Sequence, residues 1–280
     1  MTDLFRAILI ETRNVCTRKC WFCKFGQERK DEEIFQMDWG TIRTILENLK
    51  ALHYNGRISW FNINEPLLDR RMVEIVRMTR EYCPQAFVSL ATNGDLLDES
   101  LYHDLKASGL DALGVSVYDD KTYEKVKKFA DRQMVLIDMR LAGEEVLENR
   151  GGGICQEIPA FGRDRALYHD RSCVRPFVMM VVNPRGQVVL CCDDMYGDVI
   201  IGDVHSQRLE QIWNNERFAL YRTTLDREGR GNLTLCSHCS YSGEGFRPFF
   251  PYFDETPVLK LRDRILIKLE PIRRIFNSNS

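Results

Sequence analysis

Long apolar runs are missing from this chain. Nowhere does it approach the roughly 18–20 uncharged residues that a membrane span needs. A charge excess is missing too: 39 Lys and Arg face 41 Asp and Glu, a net charge of −2. With no basic stripe over the first 250 residues, nucleic acid is excluded as the expected partner. Histidine is scarce, and the five present (53, 103, 169, 205, 238) show no ligand pairing, which argues against a histidine-built metal site. The opening stretch MTDLFRAILIET lacks a basic n-region and a long enough apolar run for a secretion signal, so a cytoplasmic location is expected. Repeats and low-complexity tracts are absent. A composition 44% hydrophobic and 29% charged is that of a globular protein with a proper core, one large domain or a large and a small one.

What is abundant is cysteine. Ten occur, at 16, 20, 23, 83, 155, 173, 191, 192, 236 and 239. In a cytosolic chain they stay reduced, so metal is the expected use, and their distribution suggests two sites. In CTRKCWFC, Cys16, Cys20 and Cys23 follow a C-x3-C-x2-C spacing. Three soft thiolates converging from one tight loop suit three irons of a cubane 4Fe–4S cluster, leaving a fourth iron open to a small chelating molecule. Zinc is the alternative. Cys173, Cys191, Cys236 and Cys239 instead make a closed set of four, and spacing alone does not choose between zinc and a second iron–sulfur cluster.

From residue 6 to about 140, short apolar runs alternate with helical patterns. Strands are expected at 6–12, 57–63, 86–92, 110–118 and 134–140, with helices at 38–53, capped by Asp38, and at 69–83, 98–108 and 119–131. Such units imply a parallel sheet with right-handed crossovers, open or curled toward a barrel, with chemistry beyond the C-terminal strand ends. There lie the cysteine loop, Asn64-Glu65-Pro66 and Thr92-Asn93-Gly94. The pattern breaks at Arg150-Gly151-Gly152-Gly153. A hairpin about Asn183-Pro184-Arg185-Gly186 follows, then a helix over about 206–223 and the closing C-x2-C.

These residues resemble the radical S-adenosylmethionine (SAM) enzymes, and SCVRPF…NPRGQVVLCCDD…LCSHC resembles their SPASM or twitch auxiliary-cluster module. The resemblance implies an α/β fold, a partial (β/α)6 barrel over 1–168, the auxiliary module over 169–245 and a tail over 246–280. It implies two 4Fe–4S clusters, one binding SAM through its open iron, and an electron donor such as flavodoxin or ferredoxin. Phe22 matches the aromatic position near adenine. Asn64 and Glu65 stand in the motif that holds the SAM amino group, although both glycines of that motif are replaced here, by Ile63 and Asn64. Asn93 joins this cofactor set, and Ser116 is a candidate ribose contact or else a satisfied strand-end hydroxyl.

Similarity to the aminocyclitol dehydrogenases of this family implies a polar small-molecule substrate, an amino sugar or aminocyclitol. Arg150 then orients or deprotonates a hydroxyl, unless it is a strand-end ion pair. Where those dehydrogenases carry an aromatic residue after the auxiliary ligand Cys191, this chain has Cys192. A neutral, buried thiol is a hydrogen-atom donor of the kind that radical SAM epimerases use. The expectation is therefore epimerisation, with Cys192 returning hydrogen to the opposite face. Dehydrogenation to a ketone, with the auxiliary cluster as electron acceptor, is the alternative, and ribosomal peptide modification a further one. Cys155 is a second candidate donor, and Cys83 is assigned to packing. Asp193 and Asp194 are candidate substrate contacts. The basic amphipathic tail (258–276) is expected to dock on the enzyme body rather than to dimerise or touch a membrane.

Overall fold

Apolar strand-forming runs and amphipathic segments alternate in the chain, and they fold accordingly. The computed structural model describes residues 4–28, 33–131, 134–139, 169–237, 239–241 and 243. Strands β1 (Ala7–Ile10), β2 (Arg57–Ser59), β3 (Phe87–Thr92), β4 (Ala112–Val117) and β5 (Val135–Met139) lie parallel and in chain order. Between them run α1 (Lys24–Glu28), α2 (Trp39–Ala51), α3 (Met72–Tyr82), α4 (Glu99–Ala107) and α5 (Asp120–Val126).

Helix α2 shows why these segments are helical. Ile42, Ile45, Leu46 and Leu49 recur at helical spacing and are all buried. Asp38 caps the start: its carboxylate accepts the Thr41 amide N–H at 2.8 Å and the Thr41 hydroxyl at 2.9 Å. Asp38→Ala is expected to cost about 1 kcal/mol of stability, read as a lower urea midpoint. An unchanged midpoint would dismiss the cap.

The second half of the chain extends the same sheet. After α6 (Arg175–Val178) comes β6 (Met179–Val182), which pairs in parallel with the free side of β1, Ala7 opposite Met179 and Leu9 opposite Val181. The antiparallel strands β7 (Gln187–Val189) and β8 (Ile200–Asp203) follow, giving the order β5-β4-β3-β2-β1-β6-β7-β8. The predicted hairpin is present. Gly186, at φ +78°, takes the left-handed position of its turn and donates to the Asn183 carbonyl.

Some expected boundaries shift. The helix expected over 206–223 is two, α7 (Leu209–Trp213) and α8 (Glu216–Arg227), because Asn215 leaves the helix to cap α8 through the Phe218 N–H. A last short helix, α9 (Thr234–Ser237), leads to Cys239. The strand expected over 57–63 ends at Ser59. Beyond it, the amides of Ile63 and Asn64 donate to the buried carboxylate of Glu11 instead of to a neighbouring strand.

The two faces of the sheet differ. Ile8, Ile10, Ile58, Val88, Leu90, Leu113 and Val115 join the large core beneath the helices. The other face carries a small apolar patch of Ala7, Leu9, Met179, Val181 and Val189. By register, this inner face continues through Ser59, Ser89, Ala91, Ala112, Gly114 and Ser116. Small and hydroxyl side chains line the sheet there, and the buried Ser59 and Ser89 satisfy one another at 2.8 Å.

Candidate active site

Loops at the C-terminal strand ends are tied together by a chain of polar contacts. The Glu65 N–H donates to the Val15 carbonyl at 2.9 Å, joining the β2 loop to the cysteine loop. The Glu65 carboxylate, 1% exposed, accepts from the Thr92 hydroxyl (2.6 Å) and from the amides of Asn93 (2.8 Å) and Leu67 (3.0 Å). Burial pushes its pKa up, and these three donors oppose the shift. The Asn93 amide then donates to Thr17 Oγ1 (2.7 Å) and approaches Cys16 Sγ (3.7 Å). Arg18, inside CTRKC, pairs with Asp95 after β3 and with Asp119 at the start of α5, and lies over the Tyr118 ring at 5.2 Å. That guanidinium holds Asp119 down at about 2. Phe22 stacks near Tyr118 with centroids 6.3 Å apart, just beyond Ser116 at the end of β4.

The structure thus brings Cys16, Cys20, Cys23, Phe22, Asn64, Glu65, Asn93 and Ser116 to one rim of the sheet. Burial pushes the Cys16 thiol up, and it pushes Cys20 to about 11 with help from Cys23 and Cys16. The side-chain Nδ2 of Asn64 is buried with no hydrogen-bond partner, a donor left for a ligand.

At the other end of the strands, Cys173, Cys191, Cys236 and Cys239 line one small cavity together with Arg175, Arg230 and Tyr241. Burial pushes Cys173 to about 11 and raises Cys236 further. Cys192 lies beside Cys191 and Asp193, their ligand atoms within 4.8 Å of one another, and this proximity lowers the Cys191 thiol and raises Cys192. Cys192 does not line the cavity; it packs on the inner-face patch of the sheet. Asp194 is buried and caps a turn through the amides of Asp198 and Val199, so the structure gives it a local task. Cys83 lies in the helix-side core. Arg150, Cys155, His238, the Arg150–Gly153 break and the tail fall outside the described residues.

Thiolate–zinc bonds of about 2.3 Å in a tetrahedron bring sulfurs within about 3.8 Å of one another. Among the described residues, the one group of three or more potential ligands lying within 4.8 Å of one another is Cys191, Cys192 and Asp193. Neither the N-terminal trio nor the set of four is drawn in to zinc spacing. Both sets consist of thiolates alone, the soft donors that iron–sulfur clusters take, so the residues present fit such clusters.

The comparisons agree. A family model described as the Radical SAM superfamily matches residues 10–143, and an iron–sulfur cluster-binding domain, SPASM, matches 173–240. The chain belongs to the radical SAM superfamily and carries a SPASM module; its cofactors are SAM and two iron–sulfur clusters. Among its relatives, the S-adenosyl-L-methionine-dependent 2-deoxy-scyllo-inosamine dehydrogenase of Niallia circulans is 31% identical over 246 residues, spanning 86% of this chain and 94% of that one. The crystal structure of BtrN in complex with AdoMet and 2-DOIA matches with a TM-score of 0.75 at 30% identity, over 86% of this chain and 95% of that one. BtrN in an open conformation matches at 0.67 and 26% identity, over 88% and 100%.

Glu11, Arg18, Arg175 and Arg230 escaped the sequence reading. A charged residue inside a strand run or a cysteine loop was the available signal.

Proposed function

We propose that this enzyme oxidises a secondary alcohol of an aminocyclitol or a closely similar amino sugar to a ketone. Supporting this most directly is the 31% identity to an aminocyclitol dehydrogenase across nearly the whole chain. That relative favours dehydrogenation over the expected epimerisation.

Bound SAM and its cluster would supply the hydrogen-abstracting 5′-deoxyadenosyl radical, and an auxiliary cluster held by Cys173, Cys191, Cys236 and Cys239 would supply an electron acceptor. The protein's part is placement. Cys16, Cys20 and Cys23 hold the first cluster. Asn64, Glu65 and Asn93 shape the pocket for the SAM amino acid end, Glu65 chiefly by holding the two loops together. Phe22 and Ser116 flank the place for adenosine. Arg150 orients the substrate hydroxyl by donating to it, the proton leaves to solvent as the ketone forms, and Asp193 contacts the substrate hydroxyls. The open inner face of β1–β4 receives the polar ring. An acidic flavodoxin or a ferredoxin supplies the first electron, in the cytoplasm.

Turnover of an aminocyclitol in D2O tests this. Dehydrogenation yields a ketone, with 5′-deoxyadenosine formed alongside and no deuterium placed on the reacting carbon. Cys192→Ala should still form the ketone. A deuterium-bearing alcohol from the parent enzyme, lost in Cys192→Ala, would overturn the reading.

A further inference from the structure

The wall of the four-cysteine cavity holds a cation that metal ligation does not explain. Arg175, two residues beyond Cys173, is 5% exposed. Its Nη1 lies 3.8 Å from Cys191 Sγ and also pairs with Asp193. The guanidinium carbon stacks 4.0 Å from the centre of the Tyr241 ring. Its Nε is buried with no hydrogen-bond partner. A second buried arginine, Arg230, lines the same cavity and donates to the carbonyls of Ser172 and Tyr241, next to Cys173 and near Cys239. The two differ: Arg230 ties backbone on either side of the ligands, whereas Arg175 points a donor at a ligand sulfur.

A buried cation is costly unless something offsets it. One carboxylate at the cavity edge offsets Arg175 in part. A four-thiolate 4Fe–4S cluster carries net negative charge and gains another on reduction. A fixed guanidinium donating to a ligand sulfur therefore favours the reduced form, through both charge and hydrogen bonding. Asp193, on the same guanidinium, acts in the opposite sense.

We propose that Arg175 is a positioning residue that sets the reduction potential of the auxiliary cluster, with Asp193 trimming its effect, so that the cluster can take an electron from the substrate. The inference deepens the dehydrogenase reading and rests on it. Its redox step balances: the deprotonated substrate radical loses one electron to become the ketone, and the oxidised cluster gains that electron.

The test is an EPR-monitored redox titration of the full chain carrying Cys16→Ala, Cys20→Ala and Cys23→Ala, so that the signal comes from the auxiliary cluster alone. Adding Arg175→Gln should lower the midpoint by at least about 59 mV, a tenfold change for a one-electron couple. Arg175→Lys, which keeps the charge but loses the planar fork, should move it less. Asp193→Asn should raise it. A midpoint unchanged or raised in Arg175→Gln, with iron and sulfide retained, overturns the proposal. If Arg175→Gln does not hold its iron, Arg175→Lys and Asp193→Asn decide, and an Asp193→Asn midpoint unchanged or lowered overturns it. A site filled with zinc would sink both this proposal and the cluster reading, whereas an unmoved potential sinks this proposal alone and leaves the dehydrogenase reading to the D2O experiment.

Discussion

Cys20→Ala is expected to abolish formation of 5′-deoxyadenosine while leaving the auxiliary site loaded. Iron should fall from about eight to about four atoms per chain after anaerobic reconstitution. Cys20 sits in the middle of the C-x3-C-x2-C loop, and its loss leaves two thiolates where three corners of a cubane must be held. The remaining set, Cys173, Cys191, Cys236 and Cys239, lines a separate cavity and shares no ligand with the first. Cys83→Ala is the control: Cys83 is 2% exposed in the helix-side core, so its loss should change stability and leave both iron and SAM cleavage in place. Sustained SAM cleavage by Cys20→Ala would remove this loop from the chemistry.

Glu65→Ala should have the largest effect of any change that touches no thiol. It leaves the Thr92 hydroxyl and the amides of Leu67 and Asn93 without their acceptor in a buried place. At 1–3 kcal/mol for each orphaned donor, and with partial relaxation, the expected loss is roughly 3–5 kcal/mol, together with much weaker SAM binding. Glu65→Gln should cost less, roughly 1–3 kcal/mol, because one amide oxygen still accepts. Burial holds the Glu65 carboxyl above its ordinary range. Its contribution is therefore fully present below the unfolded pKa and declines as pH rises through the folded one. The deficit of Glu65→Gln should accordingly shrink between about pH 5 and about pH 8. Urea midpoints at the two pH values check this, and a deficit that grows with pH would contradict the burial argument.

Much of this was legible before any coordinates. Thiol spacing and apolar periodicity are local signals, and they located both cysteine sets, four of the barrel helices, the hairpin and the loops that carry Asn64, Glu65 and Asn93. What stayed hidden was non-local. Glu11 looks like the polar end of a strand, yet it ends β2 early by capturing two amides more than 50 residues away. Arg18 reads as an ordinary loop charge until its partners Asp95 and Asp119 fold beside it. Arg175 sits in a short Arg-Pro segment whose burial is set by α9 and Tyr241, and nothing in its neighbourhood in the chain announces that. Cys192 is a related case: its residue type suits hydrogen donation, but its place against the inner-face patch rather than in the cavity wall is set by the fold.

Strand β1 carries the SAM-cluster loop beyond its C-terminal end, and β6 beside it runs parallel from the edge where Cys173 and Cys191 gather. Among the described residues the two cysteine sets are joined through one hydrogen-bonded ladder, about 3.3 Å for each residue of β1. Under the dehydrogenase reading proposed above, a substrate lodged against that strand would lie between the two cysteine sets. Swinging one module aside would mean unzipping β1 from β6, so the distance between the two sets is held by the same backbone that folds the protein.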